Sequence, residues 1–352
     1  MDLIPVFQRL EHVFHGDGIA NENLQNKPQH EQHRNVVKSL WLSVESSDGS
    51  DNSPLVFNDR PRFDDLMREH QQRTQRHLGD EGRVCYPRLV FFVGDTGAGK
   101  SSLIQALIGH AWDFKMAERN LRGLLVPVVG SANSLPTSSD IHLFYDSLEA
   151  AASSTNPLLF ADCEEFGASN HSLAADCRNK IIQDMEKEAP EDVRKDEMKL
   201  TQWPDFHADH SKAVEELFPS LVYNISDIVV YVITATNLKS IGKVLEKLIA
   251  WSRKAETSST NRTSLPSLII LINQCDPART TDWSSDDTTA QLLGENEYLM
   301  NGNKTIKSRK DELGKVGLPN KSIKDILTTS YADVKLLRVP STKDVDRLTS
   351  QL

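Results

Sequence analysis

Leu89-Val90-Phe91-Phe92-Val93-Gly94-Asp95-Thr96-Gly97-Ala98-Gly99-Lys100-Ser101-Ser102 is the stretch on which the fold turns. It reads as a β-branched and aromatic run, a glycine-rich turn, then Lys and Ser. Leu103-Ile104-Gln105-Ala106-Leu107-Ile108-Gly109 comes next, with apolar residues at helical spacing. The whole is strand, loop and helix with G-x-x-x-x-G-K-S in the loop. Such a turn aims successive backbone N–H groups inward and makes an anion-binding nest. Its glycines keep side chains away from the anion, and the helix that starts near Lys100 adds its positive end. Gly94, Asp95, Thr96, Gly97, Ala98, Gly99, Lys100, Ser101 and Ser102 are therefore the candidate phosphate-binding set. Lys100 is placed to reach the β- and γ-phosphates of a triphosphate, and Ser101 to ligate Mg²⁺. A plain glycine turn is the alternative.

Outward from the loop, apolar runs alternate with amphipathic helices. Ile141–Tyr145, Pro157–Asp162, Asp227–Ile233 and Leu268–Ile272 read as strands. Helices are expected on the pattern Leu103, Ile104, Leu107, Ile108, Ala111 and on Leu238, Ile241, Leu245, Leu248, Ile249. This is the signature of an α/β chain whose mostly parallel sheet has helices on both faces, with ligands at the C-terminal strand ends. Ile326–Ser330 and Val334–Val339 offer one or two final strands.

Three further positions fit the same site. Thr137, before the strand Ile141–Tyr145, stands where a switch threonine could ligate Mg²⁺ and sense the γ-phosphate. Asp162 ends its strand with a carboxylate able to hold the metal directly or through water. Asn273-Gln274-Cys275-Asp276 closes another. The Asp276 carboxylate could accept from N1–H and the 2-amino group of guanine, two donors that adenine lacks. Ser330 could bring a backbone N–H to the base. Ordinary caps and turns are the alternative at each.

The rest of the chain bounds the answer. It has 352 residues and a formal charge of -10, which argues against a nucleic-acid surface as its main business. Cys85, Cys163, Cys177 and Cys275 lack CxxC spacing and read as reduced thiols, hence a cytoplasmic expectation. No apolar run approaches the roughly 20 residues of a membrane helix. Met1–Pro5 has no signal-peptide pattern, and Ser350-Gln351-Leu352 is no prenylation box.

Residues 1–84 are expected as a partly disordered extension with an accessory strand and helix packed beside the main domain. Its polar arm carries His12, His15, His30 and His33 in pairs that lack a supporting Cys or carboxylate pattern for metal binding. A strand is expected over Val36–Val44, a loop over Ser46–Ser53, and a helix from Pro61 capped by Asn58 or Asp59 with Phe63, Leu66 and Met67 on one side. The main domain spans 85–340 with an insertion at about 168–224, and 341–352 is a tail. Within the insertion, Leu173, Cys177, Ile181 and Met185 fit a helix face, 186–198 a charged solvated face or loop, and Phe218-Pro219 a lead into the next strand. Residues 277–320 are polar with a weak helical pattern.

The order P-loop, Thr137, Asp162, Asn273-Gln274-Cys275-Asp276, Ser330 resembles the five-motif series of P-loop GTPases over roughly residues 87–340. It is most similar to large, insertion-rich G domains of the dynamin- and guanylate-binding-protein-like group. It also resembles fungal predicted P-loop GTPases, in which Pro136-Thr137-Ser138 and Ala161-Asp162-Cys163-Glu164 have like phrases. The resemblance implies a three-layer G domain with one antiparallel strand, binding of GTP, and Mg²⁺-dependent hydrolysis with Lys100 and Thr137 as catalytic residues. It also implies a nucleotide-dependent homodimer or protein effector as partner.

Three departures shape the expected activity. Gln274 stands where the family carries a Lys whose stem packs over guanine. Asp162-Cys163-Glu164-Glu165 lacks the glycine of the third motif, and Gly167 comes two residues late. No glutamine follows to orient water, although several large GTPases manage without one, and slow or absent intrinsic hydrolysis is the expectation. The competing expectations are an ATPase or phosphotransferase on the same loop, against which the single Arg194 in 186–198 counts, and an interaction module that binds nucleotide without turnover.

Overall fold

The apolar run Arg88–Gly94 is a strand, β3, with Val90 to Val93 fully buried, and Lys100–His110 is a helix, α2. Around them a computed structural model describes residues 38–46, 55–78, 86–110 except 96, then 125, 127, 141–146, 156–163, 196–199, 210–234, 237–258, 264–275 and 285–340. The chain divides into two compact units whose described residues run up to Phe218 and from Pro219 onward. Together they make a mixed α/β fold.

In the first unit, β1 (Leu40–Ser46), β2 (Leu55–Asp59), β4 (Ile141–Tyr145), β5 (Leu158–Cys163) and β6 (Asp196–Lys199) join β3 in the order β6-β2-β1-β4-β5-β3. β3 and β5 are parallel, and the other four pairings are antiparallel. β1, β3, β5 and β6 thus share a direction. β4 opposes them, as the resemblance implies, and β2 is a second opposing strand.

Adjacent residues of a strand face opposite sides, and β3 shows both. Phe91 lies 6.2 Å from Trp41, whose ring also stacks at 5.6 Å on Phe63 of α1 (Arg62–Leu78). Phe92 faces the other side, edge-on to Phe160 at 6.2 Å. On α2 the expected apolar face is buried at Leu103, Ile104, Leu107 and Ile108, while Ala111 lies outside the described residues.

The segment before residue 85 contributes two strands and a helix to the first unit. β1 pairs with β4 through Leu40 and Leu42, and Leu55–Asp59 forms β2 directly after the expected loop. Asn58 therefore sits in a strand opposite Ser43 rather than capping α1. Asp196–Lys199, at the end of the expected charged stretch, pairs with β2 as the strand β6, and residues 186–195 lie outside the described residues.

The second unit holds β7 (Ile228–Ile233), β8 (Ser267–Cys275) and β9 (Val334–Pro340), all parallel in that order. Phe218-Pro219 lies inside helix α3 (His210–Ile225), not in a lead to β7. Helix α4 (Leu238–Ser258) buries Ile241, Leu245, Leu248 and Ile249 and leaves Leu238, its first residue, 37% exposed. The weak helical pattern after residue 277 resolves into α5 (Ser285–Leu293), α6 (Glu297–Gly302) and α7 (Lys304–Lys315). Asn296 and Asn303 cap the last two by accepting from backbone N–H groups.

Ile326–Ser330 is not a strand. Ile323–Thr328 is helix α8, opened by a capping box in which Ser322 and Asp325 satisfy each other's backbone N–H groups. The expected helix on Leu173, Cys177, Ile181 and Met185 lies outside the described residues.

Candidate functional site

In the first unit the chain leaves β3 through Gly94, Gly97 and Gly99 at φ 144°, 69° and 88°. Side-chain-bearing residues rarely adopt these angles, which is why the turn is spelled with glycine. A Cβ added at Gly97 would meet nothing within 4 Å, so its glycine answers to the backbone angle, above open space. Ala98 N–H donates to the Asp95 carbonyl at 3.2 Å and tightens the turn.

Lys100 opens α2 with its side chain folded under the loop. It is 3% exposed, and its Nζ donates to the Gly94 and Asp95 carbonyls at 3.3 and 3.2 Å. Ser101 is next, with its Oγ 2.6 Å from the Asp162 Oδ2, to which it donates. That bond joins residues 61 apart in sequence. It exists because β5 lies beside β3 in parallel register, Phe92 opposite Asp162. Asp162 is 2% exposed at the C-terminal end of its strand.

The residues present fit a hydrated Mg²⁺ by the chemistry of the donor set. A serine hydroxyl and a carboxylate at bonding distance are hard oxygen ligands of the kind this ion takes, beside a loop of phosphate-binding shape. Next to them, burial and the Asp162 carboxylate raise the Cys163 thiol well above its ordinary value, against a smaller opposite pull from Lys100.

Sequence reasoning passed over His142 and Ser39. His142 is 4% exposed on β4, directly opposite Asp162 in the antiparallel register. Its Nδ1 lies 2.9 Å from the Ser39 Oγ, and Ser39 is 1% exposed. The available signal was a lone polar residue in the apolar run Ile141-His142-Leu143-Phe144-Tyr145, since a buried polar group demands a partner.

In the second unit, β8 runs through Asn273, Gln274 and Cys275 rather than stopping at Ile272, with its register to β9 shifting between Ile272 and Cys275. Asn273 is half-buried there. Ser330 lies elsewhere. It precedes the N-terminal end of β9, whereas Asn273 is near the C-terminal end of the parallel β8. Its N–H donates to the Leu327 carbonyl at 2.9 Å and its carbonyl accepts from the Tyr223 hydroxyl. The N–H expected at the base is thus spent on closing α8. Thr96, Thr137 and Asp276 lie outside the described residues, as does the chain leaving the C-terminal end of β9.

No protein-family model matches the sequence, and no curated protein does. Among solved structures the chain is similar to the signal recognition particle receptor SRb-GTP/SRX complex from Chaetomium thermophilum. The identity is 15%, over 71% of this chain and 89% of that one, with a TM-score of 0.32. At that score the likeness fixes no relationship, and the functional reading rests on the site's own geometry. No helix among the described residues is long and apolar enough to cross a membrane.

Proposed function

We propose that the chain binds guanine nucleotide and Mg²⁺ at its P-loop and acts as a slow GTPase switch built on a three-layer G domain. The observation that carries this reading is the 2.6 Å contact between Ser101 and Asp162 behind a loop with three positive-φ glycines. The amides of residues 97–101 and the Lys100 ammonium bind the triphosphate and balance charge that moves onto its oxygens during transfer. To do so the ammonium exchanges its two carbonyl partners for phosphate. Ser101, Asp162 and Thr137 would hold the metal. Bound Mg²⁺ supplies electrostatic stabilisation of the β- and γ-oxygens. Asn273, Gln274 and Asp276 read the base.

The test is displacement of a fluorescent GTP analogue by GTP and by ATP, with Mg²⁺ present. Selective displacement by GTP, lost in Asp276→Asn, supports the reading, because that change turns an acceptor into a donor facing a donor. Equal displacement by ATP would refute the guanine assignment and leave an ATPase or phosphotransferase.

A second reading, a nucleotide-dependent interaction module without turnover, is favoured by Asp162-Cys163-Glu164-Glu165, which lacks the third-motif glycine. Tight GTP binding with phosphate release at the buffer background would select it. Light scattering with GTP, GDP and a non-hydrolysable analogue tests for a nucleotide-dependent homodimer.

A further inference from the structure

Asp162 has two cross-strand neighbours in register, Phe92 on β3 and His142 on β4. Directly opposed residues point to the same face with Cβ atoms about 5 Å apart. Phe92 is a fully buried hydrocarbon wall with no hydrogen bond to offer. His142 is a buried imidazole whose Nδ1 lies 2.9 Å from the Ser39 Oγ. Ser39 precedes β1, which reaches β4 at this same point, Leu40 opposite His142 and Leu42 opposite Ile141, with an irregular step between them. Four buried or half-buried polar residues, Ser39, His142, Asp162 and Ser101, are thereby drawn from four separate stretches of chain into one row.

A carboxylate that supports a metal must present one oxygen in a fixed place, and a side chain with free rotation would not do so. Groups that orient metal ligands from behind are as much a part of such sites as the ligands themselves. Ser101 holds Asp162 from the loop side, and nothing apolar about Phe92 fixes the carboxylate's rotation. We propose that His142, oriented by Ser39, is a positioning residue for the Asp162 carboxylate. The N-terminal extension then serves the nucleotide site by setting the metal-side geometry. This rests on the Mg²⁺-nucleotide reading of the site.

The experiment measures the affinity of a fluorescent GTP analogue in EDTA and across a Mg²⁺ titration, for the full chain and for variants. His142→Phe keeps a ring and removes both nitrogens. It should raise the half-saturating Mg²⁺ concentration about tenfold, at the lower end of what losing such an orienting group costs, and leave the affinity in EDTA unchanged. Ser39→Ala should shift it in the same direction by less. His142→Gln, which keeps a polar nitrogen at the ring's far end, should recover part of the loss, and it stands in should His142→Phe melt early. A general packing defect would lower both affinities together, and that pattern, or no shift in any variant, overturns the role of His142. A wild-type chain that holds the nucleotide no better with Mg²⁺ than in EDTA overturns the metal reading itself.

Discussion

The Thr289 hydroxyl of α5 donates to the Leu336 carbonyl of β9 at 3.4 Å and accepts the Leu336 N–H at 2.8 Å. One side chain thus makes, beside β9, the two contacts that a neighbouring strand would make with Leu336. Both groups are buried, so the hydroxyl replaces water that cannot reach them. Thr289→Val keeps the volume and strands the N–H. It should cost about 1–3 kcal/mol in urea denaturation, and Thr289→Ser should recover most of it.

Trp41 joins β1 to α1 and β3 through its stacking on Phe63 and its contact with Phe91. Trp41→Ala removes a large buried ring from the centre of that triad. A loss of about 3–5 kcal/mol is expected from calorimetry or denaturant titration. An effect within error would mean that the extension is not part of the first unit's core.

Lys100 is the sole cation the loop itself carries. Lys100→Ala should weaken triphosphate binding on the order of 100-fold, the size of losing a strong charge-assisted contact. Far-ultraviolet circular dichroism should stay unchanged. Wild-type affinity in that variant would remove the loop from the proposed function.

Cys163 gives a pH prediction of definite sign. Burial, then Asp162, raises its thiol in the folded chain, so the folded state keeps a proton that the unfolded state releases. The stability this lends is complete below the unfolded value of about 8.5 and is lost as pH rises beyond it. Unfolding free energies at pH 7 and pH 10 should differ less in Cys163→Ala than in the parent chain. Equal differences would show that the thiol is not linked to folding.

Much of this was readable in the sequence, for reasons that differ by segment. The loop was legible because three glycines, Lys100 and Ser101 leave few other backbones open. β3, β5, β7 and β8 were legible because buried strands are spelled as apolar runs. β2 was not, since Asn58-Asp59 closes a strand in the same letters that open a helix. β6 was hidden because its four residues, three of them charged, are too short a run to show a strand's alternation. Ile326–Ser330 was misread although Ser322 and Asp325 already spelled a capping box. That error carried Ser330 to the wrong end of the strands. His142 escaped notice because register across a sheet, here opposite Asp162, is not encoded in local spacing.

Proteins are often recognised by an extended peptide that joins the rim of a sheet and extends its ladder. β4 cannot serve as such a rim along its outer side. Leu40 and Leu42 occupy it at His142 and Ile141, and the Arg62 guanidinium Nε donates at 3.2 Å to the Leu143 carbonyl farther along. An extended partner would therefore reach the backbone of β4 only after the N-terminal strand β1 had been peeled away.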